Sequence, residues 1–464
     1  MDSQQQSERE TCRLIVFGPG RADVLVKNTP AGFALPSVEI ARWERVAENL
    51  TAVLKRDWGC DAVCLFTLEC PPEDRNSNED HYEVMECWRD GRISSETEWA
   101  AICSLGANSF LHKADFQTLQ RCLHQLKRYE GDASSPFART GWLGSLRNWT
   151  SGAIHPLGLE LMDSLRQFNA GPAFNLIRFE TTGRAVWFKA VGEPNLREFP
   201  ITLKLAELFP RFMPEVLATR PEWNGWLSRE AEGQNLGEAK DIDAWKQAVA
   251  DLAKLQIESI SSSESFLSLG AHDLRSDALL SAIDPFFDLV ARLMDRQPES
   301  PPAILSREEL SLTRILLDDA LTMLVDLRIP TTLGHLDLNP WNIIVSTDSC
   351  TFLDWAEAYV GQPFFSFEYL LEHFRGNQED HAQFESCFIN AYKAPWQEFL
   401  SDDCISEALA MAPLAAVFAY AVGGGTWKDA ERLRNPKTAG YFRSLARRMN
   451  REAVRLERRS SCLT

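Results

Sequence analysis

The sequence contains no uninterrupted run of about 20 apolar residues, the length a helix needs to cross a bilayer, so no membrane partner is expected. Its opening, MDSQQQSERE, lacks the apolar segment of a secretory signal, and a cytoplasmic location is the expectation. Basic residues are the scarcer charge: 48 Lys and Arg against 66 Asp and Glu give a net charge of −18. That balance disfavours a nucleic-acid partner, because binding phosphates requires cationic surface. The eleven cysteines include no C-x-x-C pair. Cys60, Cys64 and Cys70 lie close together, but no neighbouring His completes a zinc set, and settings such as DAVCLFTLEC suit reduced core thiols. What is present is a globular composition, 45% apolar and 25% charged, over 464 residues, enough for two or three domains.

Residues 12–130 alternate short apolar runs with helical patterns. RLIVF, ADVLVK, AVCLFTLEC, HYEVMECW and WAAICSL read as strands, while IARWERVAENLTAVLKRDWG and FQTLQRCLHQLKRY read as helices. The first helix is expected to stop at Gly59. A compact α/β domain over 1–130 follows. Its element order resembles a Nudix-type fold without the catalytic box: Glu44 and Glu48 stand alone, so no diphosphate hydrolysis is expected from it.

The small, polar stretch EGDASSPFARTG marks an expected boundary near residue 131. Beyond it, HPLGLELMDSLRQF reads as a short helix, and FNLIRFE and AVWFKAV as strands joined by a TTG turn, giving a linker helix and strand-rich lobe over 131–235. Residues 236–464 carry mostly helical periodicity, as in DAWKQAVADLAKLQI and SEALAMAPLAAVFAYAV. The basic end, RSLARRMNREAVRLERR, reads as the solvated face of a terminal helix.

One strand-like island interrupts the helical region: TLGHLDLNPWNIIV, followed by the turn STDSC and TFLDW. Buried polar side chains need partners, and this stretch gathers a His, an Asp and two Asn beside an apolar strand. An antiparallel hairpin of NIIV with TFLD would bring Asn342 and Asp354 to one edge, next to the loop with Asp337. Two carboxylates and an amide oxygen suit a hard cation such as Mg²⁺, and with it phosphate chemistry.

His335-x-Asp337-x-x-x-x-Asn342, with Asp354-Trp355 twelve residues further on, resembles the catalytic core of the aminoglycoside phosphotransferase and choline kinase group, which shares the protein-kinase fold. The resemblance implies an α+β, two-lobed kinase-like architecture, with a small antiparallel-sheet lobe and a large helical lobe, preceded by the separate α/β domain. It implies Asp337 as the base that accepts the substrate hydroxyl's proton, and Asn342 and Asp354 as Mg²⁺ ligands beneath ATP. His335 would hold the loop. Lys189 in AVWFKAV resembles the strand Lys that meets the α- and β-phosphates, with Glu198 its expected ion-pair partner and Glu207 the rival. FNAGPAFN would be the phosphate-covering loop, although it carries only Gly171. The backbone of Ser228, Arg229, Glu230 and Ala231 would meet the adenine. Two positions depart from the family pattern: Leu336 follows the loop His where Gly is usual, and Ser366-Phe367 stands where Asp-Leu is usual. The implied activity is ATP-dependent phosphoryl transfer to a hydroxyl of a small molecule; the alternative is a kinase-like nucleotide-sensing or scaffold protein. Glu368, Glu372, Glu379 and Asp380 read either as the lining of a site for an amine-bearing acceptor or as exposed faces of a helix and its loop.

Overall fold

Strand β1 (Arg9–Phe17) carries the run that organises the first part of the chain. In this computed structural model, which describes residues 9–41, 45–68, 81–89, 94–298, 300–377 and 381–461, the described chain divides into two compact units. One comprises Met1–Phe199 with Glu215–Glu230, the other Pro200–Pro214 with Ala231–Thr464.

In the first unit β1 is followed by β2 (Asp23–Thr29), β3 (Gly32–Ala34), β4 (Ser37–Ala41), α1 (Val46–Trp58), β5 (Asp61–Leu68), β6 (His81–Arg89), β7 (Thr97–Ala101), α2 (Lys113–Glu130) and α3 (Trp142–Ile154). The seven strands form one sheet in the order β3-β2-β1-β6-β5, with β4 also on β1 and β7 also on β2; only β1 and β6 run parallel. Alternate residues of β1 face opposite sides. Leu14 and Val16 pack with Leu50 and Leu54 of α1, while Ile15 and Phe17 join a second core with Leu119 and Leu126 of α2. α1 ends where Gly59 adopts φ 66°, as expected from its sequence, but Ile40 and Ala41, read as its start, are the end of β4.

A second, five-stranded antiparallel sheet has the order β11-β12-β10-β9-β8, formed by β8 (Leu161–Ala170), β9 (Asn175–Thr181), β10 (Val186–Ala190), β11 (Val216–Arg220) and β12 (Gly225–Arg229). The helix expected over 155–168 is mostly β8, and the helix in this region is α3. Gly158, at φ 72°, ends the helical stretch before the strand begins. The expected boundary near 131 runs inside the unit, since Ile15, Val63, Phe137, Phe179, Phe188 and Leu227 share one core. Gln167 of β8, fully buried, ties the sheets together: its Oε1 accepts from the Cys64 amide at 2.7 Å and its Nε2 donates to the Cys64 carbonyl at 3.1 Å. Glu48 pairs with Arg166, whereas Glu44 and Cys70 lie outside the described residues.

Helix α4 (Glu198–Leu208) leads into the second unit, whose elements are β13 (Gln234–Asn235), α5 (Ile242–Ser259), α6 (Ser263–Ser268), β14 (His272–Leu274), α7 (Ser276–Asp295), α8 (Arg307–Asp326), β15 (Thr332–His335), β16 (Ile343–Val345), β17 (Cys350–Phe352), β18 (Ala358–Gly361), α9 (Phe364–Asn377), α10 (His381–Trp396), α11 (Asp402–Gly423) and α12 (Pro436–Ser461). Side chains fix the helix starts: the Asp241 carboxylate accepts from the Asp243 amide at α5, and Ser306 and Glu309 form a reciprocal cap at α8. Trp245, Val249, Leu252 and Leu255 of α5 lie in the core with Phe374 and Phe388. α12 buries Phe442, Leu445, Met449 and Ala453 and turns most of its arginines outward, as its pattern predicts. Although the sequence has no uninterrupted apolar run of membrane length, α11, at 22 residues and mean hydropathy 1.7, is long and apolar enough to cross a bilayer; 56% of its apolar window is buried in the protein.

Two small sheets interrupt the helices, in the orders β13-β16-β17 and β14-β18-β15. They carry the loop that the sequence singled out. The α+β class expected for the chain is the class observed, with the five-stranded antiparallel sheet in one unit and most of the helix in the other.

Candidate functional site

β15 delivers His335 to its C-terminal end, and the next seven residues turn back into β16. Gly334 makes the approach possible: a Cβ there would lie 2.1 Å from Cζ of the buried Tyr359 ring. His335 is fully buried, and its ring joins the two sides of the loop. Nδ1 accepts from the Asp337 amide at 3.1 Å, so the proton sits on Nε2, which donates to the Leu353 carbonyl at 3.1 Å. Burial holds the imidazole pKa below its ordinary value, and the ring packs against Trp355 at 4.9 Å. His335 therefore organises the loop in neutral form.

Asp337 is held through its backbone and one carboxylate oxygen. Its backbone carbonyl accepts from the Asn339 amide at 2.8 Å and from Asn342 Nδ2 at 2.9 Å. Its Oδ1 accepts from Asn339 Nδ2 and from the Tyr369 hydroxyl, each at 3.2 Å. Asn339 in turn caps the following 3₁₀ turn, accepting from the Trp341 amide at 2.9 Å. The Asn342 carboxamide spends its nitrogen on Asp337, which turns Oδ1 the other way as an available oxygen donor. The hairpin brings the third residue in: Ile343 registers with Phe352, and the Leu353 amide donates to the Asn342 carbonyl at 2.8 Å. Asp354 follows directly, exposed and in the left-handed region at φ 63°, a conformation Asp tolerates better than most residues. Sequence reasoning placed Asn342 and Asp354 at one edge of the hairpin beside Asp337, and the ladder does so. An amide oxygen and a carboxylate at this edge fit a hard divalent cation of the Mg²⁺ type.

The two departures from the family pattern prove compatible with an ordered loop. Leu336 points into the core, where Gly423 leaves it room; a Cβ on Gly423 would come 2.4 Å from Leu336 Cδ1. Ser366, fully buried at the start of α9, accepts from the His335 amide through Oγ at 2.8 Å, and its own amide donates to the Tyr359 hydroxyl at 3.2 Å. One turn later, the same helix presents Tyr369. Sequence reasoning missed this residue, because FEYLLEHF shows only helical periodicity. Tyr369 stacks on Tyr420 at 5.5 Å between ring centroids, and burial followed by the nearby Asp337 carboxylate pushes its phenol pKa up.

The acidic residues after the site serve structure where they are described. Glu368 is buried, and Arg375 Nη1 donates to it at 2.5 Å; Glu372 pairs with Arg448. Glu379 and Asp380 lie outside the described residues.

In the first unit, Lys189 occupies the middle of the sheet, registered with Leu176 on β9 and Trp226 on β12. Its Nζ meets Glu198 Oε1 at 2.5 Å, while Glu207, the rival, is exposed and pairs with Lys204. Glu198 is only 2% exposed, so its charge is matched by a partly buried cation. The Gly171 turn is a tight hairpin closed by Phe174, whose ring would lie 2.3 Å from a Cβ at that glycine. Ser228 registers with Trp187 and Val216; the Arg229 amide donates to the Glu215 carbonyl and the Glu230 amide to the Ala185 carbonyl. Those two amides are committed to the sheet. Arg178 Nε (2.6 Å) and Trp187 Nε1 (3.1 Å) both donate to the Glu230 carboxylate, and Arg178 above all holds its pKa below the usual value. Ala231 opens the next segment of the second unit.

No family model matches the sequence, and no curated protein does. Among solved structures, the chain is similar to a choline kinase from Streptococcus pneumoniae at 16% identity and a TM-score of 0.42, over 66% of this chain and 99% of that one. It is similar to an ethanolamine kinase from Plasmodium vivax at 13% identity and 0.44, over 72% and 93% of the two chains, and to a macrolide 2'-phosphotransferase from Brachybacterium faecium at 18% and 0.39, over 63% and 98%. Identities and scores this low leave the reading of the site to its own residues.

Proposed function

We propose that the protein is an ATP-dependent phosphotransferase that moves the γ-phosphoryl group to a hydroxyl of a small molecule. The observation that carries this reading is the loop in which Asp337, Asn342 and Asp354 are tied by the Asn342 side-chain bond and the Leu353–Asn342 ladder bond. Asp337 is the base: with Oδ1 engaged by Asn339 and Tyr369, Oδ2 takes the acceptor's proton as its oxygen bonds to phosphorus and ADP leaves. Asn342 Oδ1 and the Asp354 carboxylate would hold Mg²⁺, which would supply charge neutralisation for the phosphates. Lys189, oriented by Glu198, binds the α- and β-phosphates, and the backbone of 228–231 serves the adenine through the groups not spent on the sheet. Kinases and phosphotransferases acting on choline, ethanolamine and macrolides are among the similar structures, which agrees with a small-molecule acceptor.

The test is an ATP-consumption screen over hydroxylated metabolites, amino alcohols and aminoglycosides, comparing the native chain with Asp337→Ala. Consumption that depends on one acceptor and disappears in the variant is expected. Turnover that survives the substitution removes Asp337 from its role, and nucleotide affinity without consumption in every mixture supports a nucleotide-sensing protein instead.

A further inference from the structure

Helix α9 presents two hydroxyls to the loop, three residues apart and therefore on the same helix face. Ser366 Oγ takes the His335 amide at 2.8 Å, fixing the backbone just before the base. The Tyr369 hydroxyl donates to Asp337 Oδ1 at 3.2 Å, fixing the carboxylate itself. Asn339 Nδ2 shares that same oxygen at 3.2 Å, so both protein donors converge on Oδ1. A carboxylate gripped by two donors on one oxygen has its rotamer set and its second oxygen presented in one direction. Tyr369 is itself braced, with His373 against its ring at 5.0 Å and Tyr420 stacked at 5.5 Å. Partial burial removes competing water from its hydroxyl, and a phenol with raised pKa stays a donor throughout the physiological range.

We propose that Tyr369 is a positioning residue for phosphoryl transfer, acting through Asp337 by holding Oδ1 so that Oδ2 faces the acceptor hydroxyl. The inference rests on the proposed function, since it assigns a role to the base's neighbour. Small displacements of a reacting group cost rate out of proportion to the energy of the contact, so removing the phenol hydroxyl while keeping its ring is the informative change.

The experiment measures ADP formation from Mg·ATP, with water as acceptor and with any acceptor found by screening, for the full chain and its Tyr369→Phe, Asp337→Ala and doubly substituted forms. Expected is a fall in kcat of about 10- to 100-fold for Tyr369→Phe, with KM for Mg·ATP and for acceptor within about twofold. Any residual rate in Asp337→Ala should be no lower in the doubly substituted form. Full kcat in Tyr369→Phe beside an inactive Asp337→Ala overturns the inference and leaves the functional reading standing. A rise in KM alone also overturns it, making the ring a wall of the acceptor site. If Asp337→Ala retains full activity, or the native chain forms no ADP with any acceptor, the functional reading fails. A crystal structure of Tyr369→Phe then decides the contact itself: a rotated Asp337 carboxylate supports the positioning, an unmoved one refutes it.

Discussion

Replacing Ser366 with Ala removes one oxygen from a fully buried junction, and the structure says what is lost. The Oγ accepts from the His335 amide at 2.8 Å and lies 3.1 Å from the Tyr359 hydroxyl. Tyr359 keeps two other partners after the substitution, the Gln362 carbonyl at 2.9 Å and the backbone amide of residue 366 at 3.2 Å. The loss therefore falls on the His335 amide, left buried without an acceptor. An unsatisfied buried donor costs about 1–3 kcal/mol, and with a small cavity where the hydroxyl stood, a destabilisation of about 2 kcal/mol follows. That corresponds to about 30-fold in the folded-to-unfolded ratio. Urea denaturation of the native and Ser366→Ala chains measures the difference, and hydrogen exchange of a peptide covering 332–338 localises it. Stability within about 0.5 kcal/mol of native, with unchanged exchange at His335, would refute the assignment of Ser366 as the anchor of this loop.

Glu198→Ala removes the Oε1 contact that orients Lys189, whose ammonium lies 5.9 Å from the Trp226 ring; ATP affinity should fall by about tenfold, as measured by calorimetry, with the fold retained. Gly334→Ala forces a methyl into the Tyr359 ring and should cost about 3 kcal/mol or prevent folding, read from the yield of soluble protein and its melting temperature. Burial, only partly offset by the Thr67 hydroxyl, raises the Glu83 pKa above its ordinary 4.5. Its contribution to stability is therefore complete below about pH 4.5 and is lost as pH rises through the higher folded-state value. Relative to Glu83→Gln, the native chain should lose stability as pH rises above the ordinary carboxylate range in urea titrations; parallel pH curves for the two would contradict the assignment.

The parts of the site that were legible in the sequence are those fixed by local chain geometry. The spacing of His335, Asp337, Asn342 and Asp354 becomes one loop and one hairpin because the turn between β16 and β17 is short enough to leave a single register. Lys189 and Glu198 lie nine residues apart, at the end of a strand and the start of the next helix, so their pairing too is nearly local. The errors have tertiary causes. Leu161, Met162, Leu165 and Phe168 fall at helical spacing, yet the segment is a strand; shifts of register between Leu161 and Leu165 and between Gln167 and Asn169 reset its alternation, which hides the period of two. Gln167 looks like a surface residue in sequence and is buried, because it completes the hydrogen bonds of a strand about a hundred residues earlier in the chain. Tyr369 and Ser366 acquire their roles only when α9 packs on the loop, and no pattern within α9 distinguishes them from other core-facing positions. The polar stretch near 131 looked like a linker, but Phe137 and Trp142 just beyond it enter the core shared with the first sheet, their rings 5.1 Å apart.

The central claim is that Asn342 and Asp354 hold a divalent cation beneath a nucleotide while Asp337 faces the acceptor. Crystals of the full chain grown with Mg²⁺ and a non-hydrolysable ATP analogue test it directly. The account predicts an ion about 2.1 Å from Asn342 Oδ1 and from an Asp354 oxygen, bridging to phosphate. An ion and triphosphate bound elsewhere, with these side chains uncoordinated, would contradict it.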